Sequence, residues 1–182
     1  MGITVLGVGN PIMGDDGVGL RLLDELGRPA DGTVGLDVRL PASESSSTGS
    51  DMCRPHIEPP NHRTVTFVDG GTGGMALLEI VEDAQRLLIL DAVAGEEPGQ
   101  IKVVEGDQIP RLLSQKVSPH QVGMLDVLSA ARLLGREPKE VVVVGVVPGV
   151  VDLQVGLSDA VERAIPQAAK RAAQVLRRWL EN

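Results

Sequence analysis

Aromatic residues and cysteine are scarce in this sequence of 182 residues. Phe67 and Trp179 are its only aromatic residues, and Cys53 is its only cysteine. A lone cysteine cannot form an internal disulfide, which predicts a reducing compartment such as the cytoplasm. Because hydrophobic residues still make up 42% of the chain, the core must be built from valine, leucine, isoleucine and alanine. Such a core suits buried strands packed against helices.

Positive charge and long apolar runs are also scarce. The chain has 17 Lys and Arg against 25 Asp and Glu, a net charge of -8, and no basic run suited to a phosphate backbone. No apolar run approaches the roughly 20 residues of a transmembrane helix, and no basic segment precedes the first apolar stretch. These absences predict a soluble, cytoplasmic protein that binds neither nucleic acid nor membrane. The length of 182 residues predicts a single domain, with a monomer as the default.

Apolar runs alternate with helically spaced apolar residues along the chain. Strands are predicted over residues 3–8, 64–68, 86–90, 101–104 and 141–147, and the first three of these are expected to be buried. A final helix is predicted over residues 157–180, with Ser158 as its cap. We interpret the order as strand, helix, strand, helix throughout. It predicts a three-layer α/β fold, with a twisted, mostly parallel sheet of about five strands and helices on both faces.

Residues 37–63 do not fit this alternation, because they are rich in proline and serine and show no apolar periodicity. We expect an inserted, mobile loop there. The loop contains Cys53, His56 and His62, whose spacing resembles that of metal ligands. Without a fourth ligand, a structured metal site is the weaker interpretation.

Acidic residues follow three successive predicted strands. Asp15 and Asp16 come after the first strand, Asp69 ends the second and Asp91 ends the third. The carboxyl ends of parallel strands meet at one edge of a sheet, where doubly wound folds bind ligands. A single aspartate there is more often a turn former or helix cap, and backbone N–H groups of the glycines after Asp69 could satisfy it. Three strand ends in register favour a functional site.

A dinucleotide site is the alternative for the first of these strand ends. Gly7 and Gly9 follow a strand, but the third glycine of the G-x-G-x-x-G pattern falls at Ile12. The carboxylates of Asp15 and Asp16 would also repel a pyrophosphate. The sequence therefore disfavours dinucleotide binding.

His120 is predicted to be the second residue of a helix that starts at Pro119. Ser118, Pro119 and Gln121 form a capping-box pattern around it. The positive end of a helix disfavours the imidazolium form, and a neutral imidazole is what a metal ion binds. Together with two carboxylates, this imidazole would suit a borderline divalent metal such as nickel or zinc.

Several of these stretches, in order along the chain, resemble the hydrogenase maturation endopeptidases, which process the large subunit of nickel-iron hydrogenases. The resemblance is carried by GVGNPIMGDDGVG from Gly7, VDGGTGG from Val68, LDAV from Leu90, SPHQVGMLDVL from Ser118 and VGVVPG from Val144. It runs from the first strand to the last helix and departs from the family only in the long loop at residues 37–63. On the side of the protein that carries this loop, the resemblance does not define how a precursor approaches.

The resemblance implies an endopeptidase that removes a C-terminal extension from the hydrogenase large-subunit precursor after nickel insertion. The family's metal-binding residues fall on Asp16, Asp91 and His120, and its glycine-flanked acid falls on Asp69. Water would be activated by a carboxylate, Asp16 or Asp69, or by the metal.

The source of the metal stays open at this point, because the precursor could supply nickel or the protease could hold resident zinc or nickel. A non-catalytic nickel chaperone or docking module in hydrogenase assembly would use the same ligands and is the alternative function.

Overall fold

The computed structural model describes residues 2–27, 64–113 and 120–181, which contain a five-stranded sheet in the order β2-β1-β3-β5-β4. The strands are β1 Gly2–Val8, β2 Thr64–Gly71, β3 Arg86–Ala92, β4 Ile101–Glu105 and β5 Glu140–Val146. The α-helices are α1 Val18–Gly27, α2 Leu78–Asp83, α3 Ile109–Leu113, α4 His120–Leu133 and α5 Asp159–Glu181. Each predicted strand is present, with ends shifted by up to three residues.

The sheet is mostly parallel, as predicted. β1 pairs in parallel with β2 and β3, and β3 pairs in parallel with β5, whereas β4 is antiparallel to β5. The prediction of strict strand and helix alternation is wrong, because β3 leads to β4 without a helix. An antiparallel strand starts at the edge where its predecessor ended, so a short connection suffices.

Helices cover both faces of the sheet. The core on one face lies under α1 and α5 and includes Leu22, Ile165 and Trp179. The core on the other face lies under α2, α3 and α4 and includes Val81 and Met124. Apart from Phe67, Met124 and Trp179, the buried hydrophobic residues are valine, leucine, isoleucine and alanine. The aliphatic core expected from composition and the three layers expected from the order of the elements are both confirmed.

Some sequence predictions concern residues outside the described ranges. These are the loop at residues 37–63 with Cys53, His56 and His62, and the capping residues Ser118 and Pro119. None of the described helices combines the length and apolar character needed to cross a membrane.

The parallel strands β1, β2, β3 and β5 all end at one edge of the sheet, which we call the carboxyl edge. The register aligns these ends, because Gly7 of β1 pairs with Asp69 of β2 on one side and with Leu90 of β3 on the other. The connections that follow these strands therefore meet in space.

Candidate active site

Asp16 and Asp91 are buried at the carboxyl edge. Asp91 is the penultimate residue of β3 and is 0% exposed, while Asp16 lies in the 3-10 helix Gly14–Gly17 after β1 and is 1% exposed. Oδ1 of Asp91 accepts a hydrogen bond from the N–H of Ala92 at 2.7 Å, and Oδ2 of Asp16 accepts one from the N–H of Asn10 at 3.1 Å. Because a buried carboxyl group is costly to desolvate, two of them on neighbouring strand ends indicate a functional site.

Glycines bring Asp16 close to the strand ends. A Cβ on Gly9 would overlap the backbone carbonyl of Asp16, and Gly9 also has a φ of 139°. A Cβ on Gly19, in the first turn of α1, would overlap the carbonyl oxygens of Val8 and Leu90. These two glycines therefore permit the close approach of the 3-10 helix and α1 to β1 and β3.

Asp15 joins the connection after β1 to the connection after β5. Its Oδ2 accepts hydrogen bonds from the N–H of Gly149 at 2.7 Å, the N–H of Val150 at 2.9 Å and the hydroxyl of Ser158 at 2.8 Å. Its Oδ1 accepts a further bond from the N–H of Ser158 at 2.6 Å. Asp15 therefore does not cap the helix that follows it. This role was not predicted from the sequence. Of the two adjacent acids Asp15 and Asp16, Asp16 is therefore the candidate for the functional site.

The same hydrogen bonds control the ionisation of Asp15. Burial is the largest single effect and acts to raise its pKa. The bonds from Ser158, Val150 and Gly149 stabilise the charged form and together outweigh burial, so the pKa of Asp15 lies below its usual value. Asp15 is an ionised structural group at neutral pH.

Asp69 differs from Asp16 and Asp91 because its side chain is exposed. Its Oδ1 accepts a hydrogen bond from the N–H of Gly71 at 3.0 Å. The alternative that a following glycine satisfies Asp69 is thus confirmed for Gly71. The carboxylate remains accessible to water and to a substrate at the carboxyl edge.

His120 is the first residue of α4 in the described ranges, and its side chain lies outside the description. The backbone nevertheless places this end of α4 at the carboxyl edge. A Cβ on Gly123, in the first turn, would lie 3.0 Å from Cα of Gly74, which follows β2. The structure therefore brings the helix start predicted for His120 to the same edge as the three aspartates.

Within the described part of the chain, no three His, Cys, Asp or Glu side chains are grouped closely enough to hold a metal ion. The carboxyl groups of Asp16 and Asp91 would thus need further ligands to hold an ion. An imidazole from His120 or groups on a substrate could provide them, and this oxygen and nitrogen donor set fits a borderline divalent ion.

Comparisons with known proteins agree with this architecture. The family model of the hydrogenase maturation proteases, HycI, matches residues 51–175. The chain is 32% identical to the Hydrogenase 2 maturation protease of Escherichia coli over 179 residues, which cover 97% of this chain and 92% of that protein. It is 36% identical to the hydrogenase expression/formation protein HupD of Bradyrhizobium diazoefficiens, with 97% and 79% of the two chains covered.

Solved structures show the same relationship. The fold matches the hydrogenase maturating endopeptidase HybD of Escherichia coli with a TM-score of 0.74 at 32% identity, covering 98% of this chain and 93% of that one. The solution structure of an endopeptidase from Escherichia coli matches with a TM-score of 0.76 at 33% identity and the same coverage. The resemblance and the fold class predicted from the sequence are confirmed. This chain belongs to the hydrogenase maturation protease family and is a peptidase.

Proposed function

We propose that this peptidase removes a C-terminal extension from the precursor of a nickel-iron hydrogenase large subunit after nickel has been inserted. Its relatives are named for hydrogenase maturation and formation. The observation that carries the proposal is the burial of Asp16 and Asp91 at the carboxyl edge, where α4 also begins. Two buried acids make this edge attractive to a cation.

In this proposal nickel arrives as part of the precursor and is recognised by Asp16, Asp91 and His120. Carboxylate oxygens and a neutral imidazole form a mixed donor set that suits a borderline divalent ion. Binding the ion at three points would hold the scissile peptide bond in a fixed position relative to the protease.

Cleavage then requires water and a group that accepts its proton. Asp69 and Asp16 are the candidate bases, and the exposure of Asp69 favours it because its carboxylate can contact solvent. The base takes a proton from water as the oxygen adds to the carbonyl carbon. When the C–N bond breaks, the base returns that proton to the departing amine.

Mass spectrometry of a nickel-containing precursor before and after incubation tests cleavage. We expect loss of a C-terminal fragment with wild-type protein. Asp107→Asn is the matched control for the site variant Asp91→Asn, and it should cleave normally because Asp107 is exposed in the 3-10 helix after antiparallel β4. A precursor that binds but keeps its full mass would instead support a chaperone or docking role.

Metal analysis of the purified protease separates substrate-borne nickel from a resident ion. Nickel recognition in the precursor predicts a metal-free protease after chelation that still cleaves the loaded precursor. Stoichiometric zinc or nickel that survives chelation would favour a resident metal.

A further inference from the structure

Three exposed apolar side chains lie beside Asp15 and Asp16 at the carboxyl edge. Ile12 is 52% exposed, Leu153 is 75% exposed and Val155 is 88% exposed. Ile12 belongs to the connection after β1, and the other two belong to the connection after β5. We call these three residues the apolar strip.

Backbone pairing places the apolar strip on one surface. Met13 and Gln154 form a parallel bridge, with the N–H of Gln154 bonded to the carbonyl of Ile12 at 3.1 Å. Ile12 directly precedes the bridged Met13, and Leu153 and Val155 directly flank the bridged Gln154. The pairing therefore brings the three exposed side chains into one neighbourhood of the surface.

The connections around the apolar strip are acidic. Residues 9–17, 69–74, 93–100 and 147–158 are all described and contain no Lys, Arg or His. Their exposed acids are Asp69, Glu96, Glu97 and Asp152. One cation reaches these connections, because Nζ of Lys102 in β4 donates a hydrogen bond to the carbonyl of Ala94 at 2.6 Å. An apolar surface bordered mostly by acids is complementary to an apolar segment flanked by basic side chains.

We propose that the apolar strip is the docking surface for such a segment of the precursor protein, an inference that rests on the proposed function. The strip adjoins Asp16 in sequence and lies at the edge that holds Asp91, so a segment docked there continues into the candidate active site. The four hydrogen bonds of Asp15 hold the two connections together. Docking on a surface ordered in advance costs less entropy than docking on a mobile one.

The double variant Leu153→Ser plus Val155→Ser tests the strip. Both side chains are highly exposed, so the variant should fold with an unchanged Tm. With the nickel-containing precursor that wild-type protein cleaves, we expect KM to rise by about tenfold, equal to about 1.4 kcal/mol, at unchanged kcat. Leu133→Ser is the matched control, because Leu133 is 89% exposed at the far end of α4 and its loss should leave KM unchanged.

A wild-type KM in the double variant would overturn the docking surface while leaving the proposed function intact. Failure of the unmodified protein to cleave any loaded precursor would instead reject the proposed function. The two failures are therefore distinguishable.

The basic flanks of the docked segment are tested by Glu97→Gln plus Asp152→Asn. This variant should raise KM by a few-fold at low salt, with a difference that shrinks as salt rises, because exposed charges are screened. An unchanged KM at low salt would show that the docked segment does not depend on basic flanking side chains. Sedimentation velocity tests a second copy as the occupant, and a dimer that the Leu153→Ser plus Val155→Ser variant abolishes would overturn docking of the precursor.

Discussion

Asp15 and Ser158 are 143 residues apart in the chain and are joined by two hydrogen bonds. The Ser158 N–H donates to Oδ1 of Asp15 at 2.6 Å, and the Ser158 hydroxyl donates to Oδ2 at 2.8 Å. This contact ties the start of α5 to the connection after β1. It therefore links the last helix of the chain to the segment that carries Asp16.

Replacing Asp15 by Asn should destabilise the fold. The amide of Asn cannot accept all four hydrogen bonds, and its NH2 group would face backbone donors. We expect a loss of about 2 kcal/mol in the free energy of unfolding, measured by urea denaturation. Asp152→Asn is the control, because Asp152 is exposed and accepts a local hydrogen bond from the N–H of Leu153. Equal stability of the two variants would contradict the role given to Asp15.

The contribution of Asp15 should depend on pH. Its folded pKa is depressed, so its stabilising effect is fully present above the unfolded aspartate pKa of about 3.9 and is lost as pH falls through the lower folded value. The stability difference between wild type and Asp15→Asn should therefore be constant near neutral pH and shrink below about pH 4. Urea denaturation of both proteins at a series of pH values, with a chelator present, measures this stability difference. A stability difference that grows as the pH falls would contradict a depressed pKa of Asp15.

Much of the fold follows from local sequence, whereas the Asp15 contact does not. Apolar runs predicted the strands because a buried parallel strand needs apolar side chains on both faces. The direction of β4 was missed because a short edge strand has the same local pattern in either orientation. The partners of Asp15 lie after β5, so only the assembled sheet brings them to it. The strand-end positions of Asp16 and Asp91 were predictable because parallel strands align their ends.

Replacing Gly19 by Ala tests how closely α1 packs against β1 and β3. Glycine to alanine within a helix usually stabilises by up to about 1 kcal/mol. At Gly19 the sign should reverse, with a loss on the order of 2 kcal/mol, because the new methyl group would overlap carbonyl oxygens of β1 and β3. Gly27→Ala is the control at the end of the same helix, where a Cβ meets no atom of the described residues within 4 Å. Thermal denaturation would refute the packing argument if both variants gained stability.

Replacing a proposed nickel ligand should reduce cleavage without unfolding the protein. His120→Ala and Asp91→Asn should each reduce precursor cleavage by roughly 100-fold or more, because a lost ligand misplaces the scissile bond. His120→Ala should keep the wild-type circular dichroism spectrum, since His120 lies at a helix start. Asp91→Asn is nearly isosteric and should also fold. Normal cleavage by a folded His120→Ala protein would show that His120 is not a ligand in the site.

The most direct test compares cleavage of the same precursor with and without nickel by the chelated, metal-free protease. Recognition of nickel by Asp16, Asp91 and His120 predicts rapid loss of the C-terminal fragment from the loaded precursor and none from the nickel-free precursor. Equal rates for both precursors would contradict the account.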